Sequence, residues 1–386
     1  MTKIPETKQK AGIKYAVISL VVVLLISTAT LVAFKHKEGA ESDKSAPKTQ
    51  NLDSSRQHIG IISPESKTKA THNANTGKRI SIPYSNLIKL PPVNDIKADK
   101  SGKVWIATEN GVYKYENNEI SKYTLENGKY PFRQAECIEI ENNNVLVGSL
   151  YGVSCLNHSV KFVDKTKEYE LPSSIIWEIK WDGNNLWFAT QNGIAFKSIQ
   201  KPTITLNSQN TNNGLRNNWC THLLRFSNWL AISHDAGISL WYLNMQAANP
   251  TAWRNLDKTK SAISRPIRAM VFDGKKLWIG TPTGLMLLNT NTDKLYSRFS
   301  SELISFSELH GLPSNSINTM VFHKDSIWLG TSKGLARIII HNNQIQTVSP
   351  ITGEYNETIR KLALQDDILW IGTNKGVQFI NTAMVY

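Results

Sequence analysis

Two pairs of side chains in this sequence could do acid–base or metal chemistry. His222 and His234 are spaced for adjacent strands, and paired imidazoles can ligate a metal ion or exchange protons. The simpler interpretation is that His234 only hydrogen-bonds a turn. Glu136 and Glu178 could act as the two carboxylates of a glycosidase, but the sequence sets no distance between them. No glycine-rich phosphate loop, G-x-S-x-G elbow or H-E-x-x-H helix is present, so we predict no enzyme activity, no cofactor and no metal.

A second set of side chains is better suited to binding. It occupies one equivalent position, just after the first apolar residue, in seven short predicted strands: Asn94, Glu136, Trp177, Thr221, Arg268, Asn318 and Arg360. Glu178 and His222 follow two of these positions and belong to the same predicted face. An arginine can hold a carboxylate or sulfate through two N–H groups, and Trp177 could stack on a sugar. The set predicts a site for a glycan or small anion; the alternative is that these side chains simply face water.

Composition excludes several classes of protein. With 40% apolar and 19% charged residues, most of the 386-residue chain can bury a core. Three cysteines cannot form a disulfide framework. The net charge is +13, and residues 1–78 hold twelve Lys and Arg against six Asp and Glu, or +6. The remaining +7 is spread over 308 residues, which does not indicate a nucleic-acid partner.

The beginning of the chain has the pattern of a membrane anchor. Residues 15–34 carry no charge, and twenty helical residues span about 30 Å, the thickness of a bilayer core. Lysines dominate 1–14, so this stub is predicted to be cytoplasmic, with the rest of the chain outside the inner membrane of a bacterium. The alternative is secretion after signal-peptide cleavage near Ala29. The polar segment 35–78 is predicted to be a flexible linker.

An internal repeat organises the remaining residues, 79–386. The unit is apolar–Trp–apolar–Gly or Ala–Thr, two variable residues, then Gly. Five complete copies begin at Val104, Leu186, Leu277, Ile327 and Leu369, and two degenerate copies begin at Val145 and Leu230. Their glycines are 41 to 50 residues apart, and strand-like segments flank each copy. Four short antiparallel strands at this period predict a seven-bladed, all-β propeller.

When the predicted strands are counted blade by blade, the seventh blade has no fourth strand of its own. Upstream of the first blade, residues 79–84 alternate apolar and polar side chains. We expect this segment to pair with the last blade, because that would close the ring and remove an exposed sheet edge. In a propeller the first strand of each blade lines the central channel, so the seven binding candidates would surround one opening.

The repeat resembles that of the two-component regulator propeller family. The resemblance rests on the recurring L-W-I-G-T-x-x-G-L text and on the leader Gly311-Leu312-Pro313-Ser314-Asn315, and it covers about residues 85–386. The family implies a bacterial extracytoplasmic sensor module. Its better-known members often carry two propellers followed by a transmembrane helix and a kinase, whereas this sequence stops at Tyr386, so we expect a sensor module without its own kinase.

The function expected from the sequence is therefore that of a membrane-anchored propeller that binds a ligand or a protein partner. A histidine kinase or an envelope complex would be such a partner. One alternative is a structural scaffold for envelope proteins. Another is a propeller lyase or hydrolase, since streptogramin lyases resemble this fold, but no motif of theirs matches this sequence residue by residue.

Overall fold

The structure, a computed structural model, describes residues 80–81, 85–158, 160–198, 201–257, 266–289, 303–342, 344–352 and 357–384. The predicted stub (1–14), membrane anchor (15–34) and linker (35–78) lie outside these ranges. Among the described residues, no helix combines the length and apolarity that crossing a bilayer requires.

Seven sheets make up the described part of the chain, which confirms the predicted all-β fold with seven four-stranded antiparallel blades. Two short strands, β1 (Ile80–Ser81) and β2 (Ile88–Lys89), precede the first blade. Blades one to three contain β3 (Val93–Ala98), β4 (Val104–Thr108), β5 (Gly111–Glu116), β6 (Glu119–Tyr123); β7 (Cys137–Glu141), β8 (Asn144–Ser149), β9 (Gly152–Asn157), β10 (Lys161–Asp164); and β11 (Ile176–Trp181), β12 (Asn185–Thr190), β13 (Gly193–Ser198), β14 (Ile204–Leu206).

The remaining blades follow in chain order around the ring. They contain β15 (Cys220–Phe226), β16 (Trp229–His234), β17 (Gly237–Tyr242), β18 (Trp253–Asp257); β19 (Ala269–Phe272), β20 (Lys276–Thr281), β21 (Gly284–Asn289), β22 (Leu303–Phe306); β23 (Ile317–His323), β24 (Ser326–Thr331), β25 (Gly334–His341), β26 (Gln344–Thr352); and β27 (Ile359–Gln365), β28 (Ile368–Thr373), β29 (Gly376–Asn381). Short 3-10 helices at Pro250–Ala252, Glu308–His310 and Thr382–Met384 lie outside the strands.

The Thr-x-x-Gly part of the repeat forms the turn between the second and third strand of a blade. In blade one, the Thr108 hydroxyl donates to the Gly111 carbonyl at 2.9 Å and accepts from the Asn110 N–H at 3.1 Å. Gly111 has φ +87°, a conformation that glycine adopts without strain. The repeat therefore specifies a self-contained hydrogen-bonded turn.

The small residue after the repeat tryptophan controls how closely neighbouring blades approach. A Cβ added to Gly280 would lie 2.7 Å from Cγ2 of Ile317 in the next blade, and a Cβ added to Gly372 would lie 2.6 Å from Cγ1 of Val93. One apolar cluster fills each of the seven joints between blades, including the joint between blades seven and one. The ring is therefore closed by packing.

The strand that completes blade seven differs from the one predicted. Residues 79–84 were expected to supply it, but β2 does so, with Ile88 opposite Val377 in antiparallel register. Ile80–Ser81 instead pairs in parallel with β26 of blade six, and residues 79 and 82–84 lie outside the described ranges. Two features of the sequence account for the position of β2. Only residues 90–92 separate β2 from β3. Two of these three residues are prolines, which lack N–H groups and so end the pairing of β2 with blade seven. Ile88 and Leu90 also pack into the joint between blades seven and one.

Candidate functional site

The predicted binding residues lie on the first strands of the blades or, for Glu136 and Arg268, directly before them. Most of them coincide with an irregularity that the sequence did not reveal. In five blades the pairing of the first and second strands shifts register at this position, as between Val93 and Asp95. The residue so bypassed is the binding candidate itself: Asn94, Trp177, Thr221, Asn318 or Arg360. A β-bulge of this kind redirects a side chain and bends the strand.

The nine candidates line two cavities of the channel. The first, which we call the mouth pocket, has a volume of about 260 Å³ and includes Asn94, Glu136, Trp177, Glu178, Thr221, His222 and Arg360 in its lining. The second, the channel pocket, has a volume of about 370 Å³ and includes Arg268 and Asn318 together with Asn94, Glu178, His222 and Arg360. The two pockets share Asn94, Glu178, His222 and Arg360.

Arg268 and Asn318 take part in contacts between blades. The Arg268 guanidinium donates to Ser316 Oγ at 2.7 Å and to Asn318 Oδ1 at 2.8 Å, both in blade six and its leader. The Asn318 amide in turn donates to the Ile359 carbonyl of blade seven at 2.9 Å. Burial lowers the pKa of Arg268. These groups link blades five, six and seven.

Arg360 and Asn94 continue this series of contacts. Arg360 donates to Asn94 Oδ1 at 2.6 Å, to Asn374 Oδ1 at 3.0 Å and to Glu109 Oε1 at 3.1 Å. Asn94 donates to the Ala135 carbonyl at 2.8 Å, which links blade one to blade two. The two arginines therefore have polar partners within the ring.

Trp177 forms an aromatic platform with a residue that sequence reasoning missed. Its rings stack on those of Trp219, with centroids 6.2 Å apart and planes at 19°. Trp219 is 38% exposed, and the buried Nε1–H of Trp177 has no hydrogen-bond partner among the described residues. An exposed tryptophan directly before an inner strand, in the text N-N-W-C, is the signal that could have identified Trp219.

Glu136, Thr221 and His222 complete the polar lining of the mouth pocket. Gln134 donates to Glu136 Oε1 at 2.5 Å, and burial, helped by Glu109, raises the pKa of Glu136 although Arg360 opposes this. His222 Nδ1 lies 3.2 Å from Thr221 Oγ1. Burial is also the main reason that the pKa of His222 is lowered, so its imidazole is neutral at pH 7.

His234 does not join His222. Its Nδ1 accepts the Ala236 N–H at 3.1 Å, in the way that threonine does in the other repeats, and its Nε2 lies 2.8 Å from Ser239 Oγ. The turn-bonding interpretation of His234 is thus confirmed. Within the described ranges, no group of three His, Cys, Asp or Glu side chains is arranged to hold a metal ion.

Glu178 has a structural role at the joint between blades three and four. Its Oε2 accepts the Leu223 N–H at 2.5 Å, and its Oε1 lies 3.1 Å from Lys180 Nζ. Burial opposes ionisation of this carboxyl, but Lys180 and its other cationic neighbours outweigh burial and lower the pKa of Glu178. Glu178 is therefore ionised at neutral pH, and its bonds to Leu223 and Lys180 hold its carboxylate in the joint.

Further along the channel, buried charges are balanced in pairs. Lys361 lies 3.0 Å from Asp95, and Lys97 lies 2.8 Å from Glu139. Asp95 also accepts the Ile138 N–H of the next blade at 2.9 Å. Burial disfavours its charge, but Lys361 and this N–H outweigh burial, so the pKa of Asp95 is lowered. Both carboxylates therefore have a cationic partner within the channel.

Comparison with known proteins gives structural neighbours only. The chain matches no protein-family model and no curated protein. Among solved structures it is similar to the extracellular domain of the putative one-component system BT4673 of B. thetaiotaomicron (18% identity, TM-score 0.60, covering 77% of this chain and 39% of that one). It is similar also to the extracellular domain of the putative hybrid two-component system BT3049 of the same organism (20%, 0.59, covering 75% and 40%). The chain shares its propeller fold with these domains.

The implied family resemblance is confirmed at the level of the fold. The chain spans about two fifths of the length of those two extracellular domains. Virginiamycin B lyase from Staphylococcus aureus is a further structural neighbour (15% identity, TM-score 0.58, covering 78% of this chain and 98% of the lyase). At these identities the likeness concerns the fold, so the site must be argued from its own residues.

Proposed function

We propose that this protein is a sensor-type propeller that binds a sugar bearing a carboxylate at the mouth pocket. The observation that carries the proposal is the Trp177–Trp219 platform, whose one buried N–H has no acceptor among the described residues. Ligand pockets combine an apolar surface with a few convergent polar groups. Trp177, Glu136 and Arg360 line this pocket, and Trp219 stacks on Trp177. The fold shared with extracellular domains of two-component systems supports the sensor role.

The chemistry of the ligand follows from the lining. The faces of indole rings suit the C–H-rich face of a sugar, and the Trp177 N–H can donate to a hydroxyl or carboxylate oxygen. Arg360 and Lys361 are the cations that line the pocket. Lys361 is paired with Asp95, whereas the Arg360 partner Glu109 is 46% exposed and therefore displaceable. A ligand carboxylate that replaces Glu109 would keep Arg360 paired, whereas a neutral sugar would leave that contact unchanged.

The predicted surroundings of the propeller belong to this proposal. Residues 15–34 would anchor it in the inner membrane, or cleavage near Ala29 would release it, with the propeller on the outer side in either case. Ligand occupancy would be passed to a protein partner such as a histidine kinase or an envelope complex. Nucleic acid is not expected as a partner, because the basic bias of the propeller segment is mild.

The test is calorimetric titration of the full chain in detergent with glucuronate and, as a matched neutral probe, glucose. We expect glucuronate to bind more tightly, and Trp177→Phe to weaken it about fivefold, since one neutral hydrogen bond contributes about 1 kcal/mol. Trp105→Phe is the matched control, because Trp105 is a buried tryptophan in the joint between blades one and two and does not line the mouth pocket. Equal binding of the two sugars, or no effect of Trp177→Phe, would contradict the proposal; turnover of glucuronides would favour the lyase or hydrolase alternative.

A further inference from the structure

The channel pocket is lined by one cation that has no carboxylate partner among the described residues. Five cationic side chains line this pocket: Lys97, Lys180, Arg268, Arg360 and Lys361. Four of them have a carboxylate oxygen within 2.8 to 3.1 Å: Lys97 of Glu139, Lys180 of Glu178, Arg360 of Glu109, and Lys361 of Asp95. In the part of the chain that the structure describes, Arg268 is the exception. Its positive charge is therefore left over when the other charges are paired.

Only one nitrogen of the Arg268 guanidinium takes part in the contacts between blades. Nη1 donates both to Ser316 Oγ at 2.7 Å and to Asn318 Oδ1 at 2.8 Å. Nε and Nη2 make no hydrogen bond to a described residue, and neither atom is fully buried. Arginine binds an oxyanion through two parallel N–H groups, and the Nε–Nη2 edge offers such a pair. A ligand on this edge would leave the contacts with blade six in place.

The missing counter-charge is unfavourable because Arg268 is partly buried. Burial disfavours the charged form and lowers the pKa of Arg268. Asp95 and Glu178 are also buried in the channel, but in each case a neighbouring lysine outweighs burial. A charge that is removed from water is stabilised when an opposite charge is placed beside it. Arg268 therefore favours a bound anion.

His222, on the neighbouring blade four, offers a second donor to the same pocket. Its Nδ1 lies 3.2 Å from Thr221 Oγ1 and 3.3 Å from Ser233 Oγ, and either hydroxyl can donate to this nitrogen. The proton of the neutral imidazole then lies on Nε2. This nitrogen makes no hydrogen bond to a described residue and is not fully buried. Because His222 lines the channel pocket, its Nε2–H can donate to a ligand there.

Two lysines add donors from other sides of the channel. Lys180 of blade three and Lys361 of blade seven each lie beside one carboxylate oxygen, at 3.1 and 3.0 Å. A lysine ammonium has three N–H groups, so one such contact leaves donors unused. Donors thus come from blades three, four, five and seven. An anion whose oxygens form a tetrahedron accepts from several directions, whereas a carboxylate accepts mainly in its own plane.

We propose that the channel pocket binds a tetrahedral inorganic oxyanion, sulfate or phosphate. The Nε–Nη2 edge of Arg268 is its main contact, and His222 Nε2 is the second. The anion supplies the counter-charge that Arg268 lacks and links blades four and five across the pocket. The volume of about 370 Å³ leaves room for water around the anion. This inference does not rest on the sugar site proposed at the mouth pocket.

The experiment is equilibrium dialysis of radiolabelled sulfate against the full chain in detergent, with the ionic strength held constant by chloride. We expect saturable binding with a dissociation constant of about 1–10 mM. Unlabelled phosphate should compete, and acetate should compete about tenfold more weakly than unlabelled sulfate because of its planar shape. Arg268→Gln should weaken sulfate binding about tenfold, as for loss of charge-assisted hydrogen bonds, and Arg268→Lys, which keeps the charge, should weaken it less. His222→Phe should weaken it about fivefold through loss of one donor.

Matched variants separate this site from other cationic and ligand-binding surfaces. Arg225→Gln removes the same charge from the strand that carries His222, but Arg225 is paired with Asp182 and lines neither pocket. Neither Arg225→Gln nor Trp177→Phe, which alters the mouth pocket, should change sulfate binding. If labelled sulfate does not bind saturably, if acetate competes as well as sulfate, or if Arg268→Gln has no more effect than Arg225→Gln, the proposal is wrong. None of these results depends on whether glucuronate binds at the mouth pocket.

Discussion

Substituting Gly280 tests whether the small residue of the repeat sets the distance between blades. An alanine Cβ there would lie 2.7 Å from Cγ2 of Ile317, about 1 Å closer than carbon atoms ordinarily pack. Overpacking of this kind costs about 1–3 kcal/mol, and the reduced entropy of the unfolded chain offsets about 0.4–1 kcal/mol. Gly280→Ala should therefore destabilise the protein by about 1–2 kcal/mol.

The partner substitution makes the test specific. Ile317 is fully buried, so Ile317→Ala alone should cost about 2–5 kcal/mol. In the double variant the new methyl group enters space that Ile317 vacates, and the loss should be about 1–2 kcal/mol smaller than the sum of the single losses. The joint between blades one and two shows the outcome naturally, because Ala107 and Ala135 occupy these positions in one cluster.

Urea unfolding of the four proteins measures these differences, with fluorescence and circular dichroism transitions required to coincide. Additivity within about 0.5 kcal/mol would refute the reasoning, since it would mean that Gly280 and Ile317 do not share space. An unchanged stability of Gly280→Ala would refute it as well.

Three further predictions concern other parts of the ring. Trp278→Phe should lose about 1.5–3 kcal/mol more stability than Trp328→Phe, because only Trp278 forfeits a bond to a carboxylate; equal urea midpoints would contradict this. The pKa of His222 is lower in the folded protein than in the unfolded chain, so the unfolded chain binds the proton first as the pH falls below 6.5. The stability that neutral His222 contributes above that pH is therefore lost below it. His222→Gln should make the melting temperature less dependent on pH between about pH 8 and 5. Arg268→Ala should lower the melting temperature by about 2–4 °C through loss of its contacts between blades, whereas Lys100→Ala, at an exposed turn, should change it by less than about 1 °C.

The repeat was predictable from the sequence because its parts act locally. The Thr-x-x-Gly turn is closed by bonds within four residues, and the tryptophan strand is buried on both faces wherever the repeat places it. The number of blades followed from counting these units. The closing strand was not predictable in this way, since residues 79–84 have a stronger alternation than β2, and only the short connection to β3 decides between them.

The partners of the candidate site could be predicted only in part. Its inner-strand position follows from the repeat, but the bulges at Asn94 and Trp177 arise from pairing with the second strand and have no sequence signature. The platform residue Trp219 lies in a connection whose course depends on the whole ring. Side-chain hydrogen bonds across joints, such as that from Arg360 to Asn94, join residues 266 positions apart and could not be foreseen.

The direction of those hydrogen bonds divides the mouth of the channel into two arcs with different roles. In blades five, six, seven and one, the side chains at the equivalent position each donate to a residue of the next blade or its leader: Arg268, Asn318, Arg360 and Asn94. In blades two and four, Glu136 and Thr221 bond within their own blade or its leader, and Trp177 of blade three makes no such hydrogen bond among the described residues but stacks on Trp219 of the blade-four leader. When a ligand binds the group through which a side chain bridges two blades, it replaces the hydrogen bond between those blades and destabilises their joint. For the ligand proposed at the mouth pocket we therefore expect contacts on the arc of blades two to four. Among the bridging side chains, Arg360 should exchange its partner most readily, because Glu109 is 46% exposed.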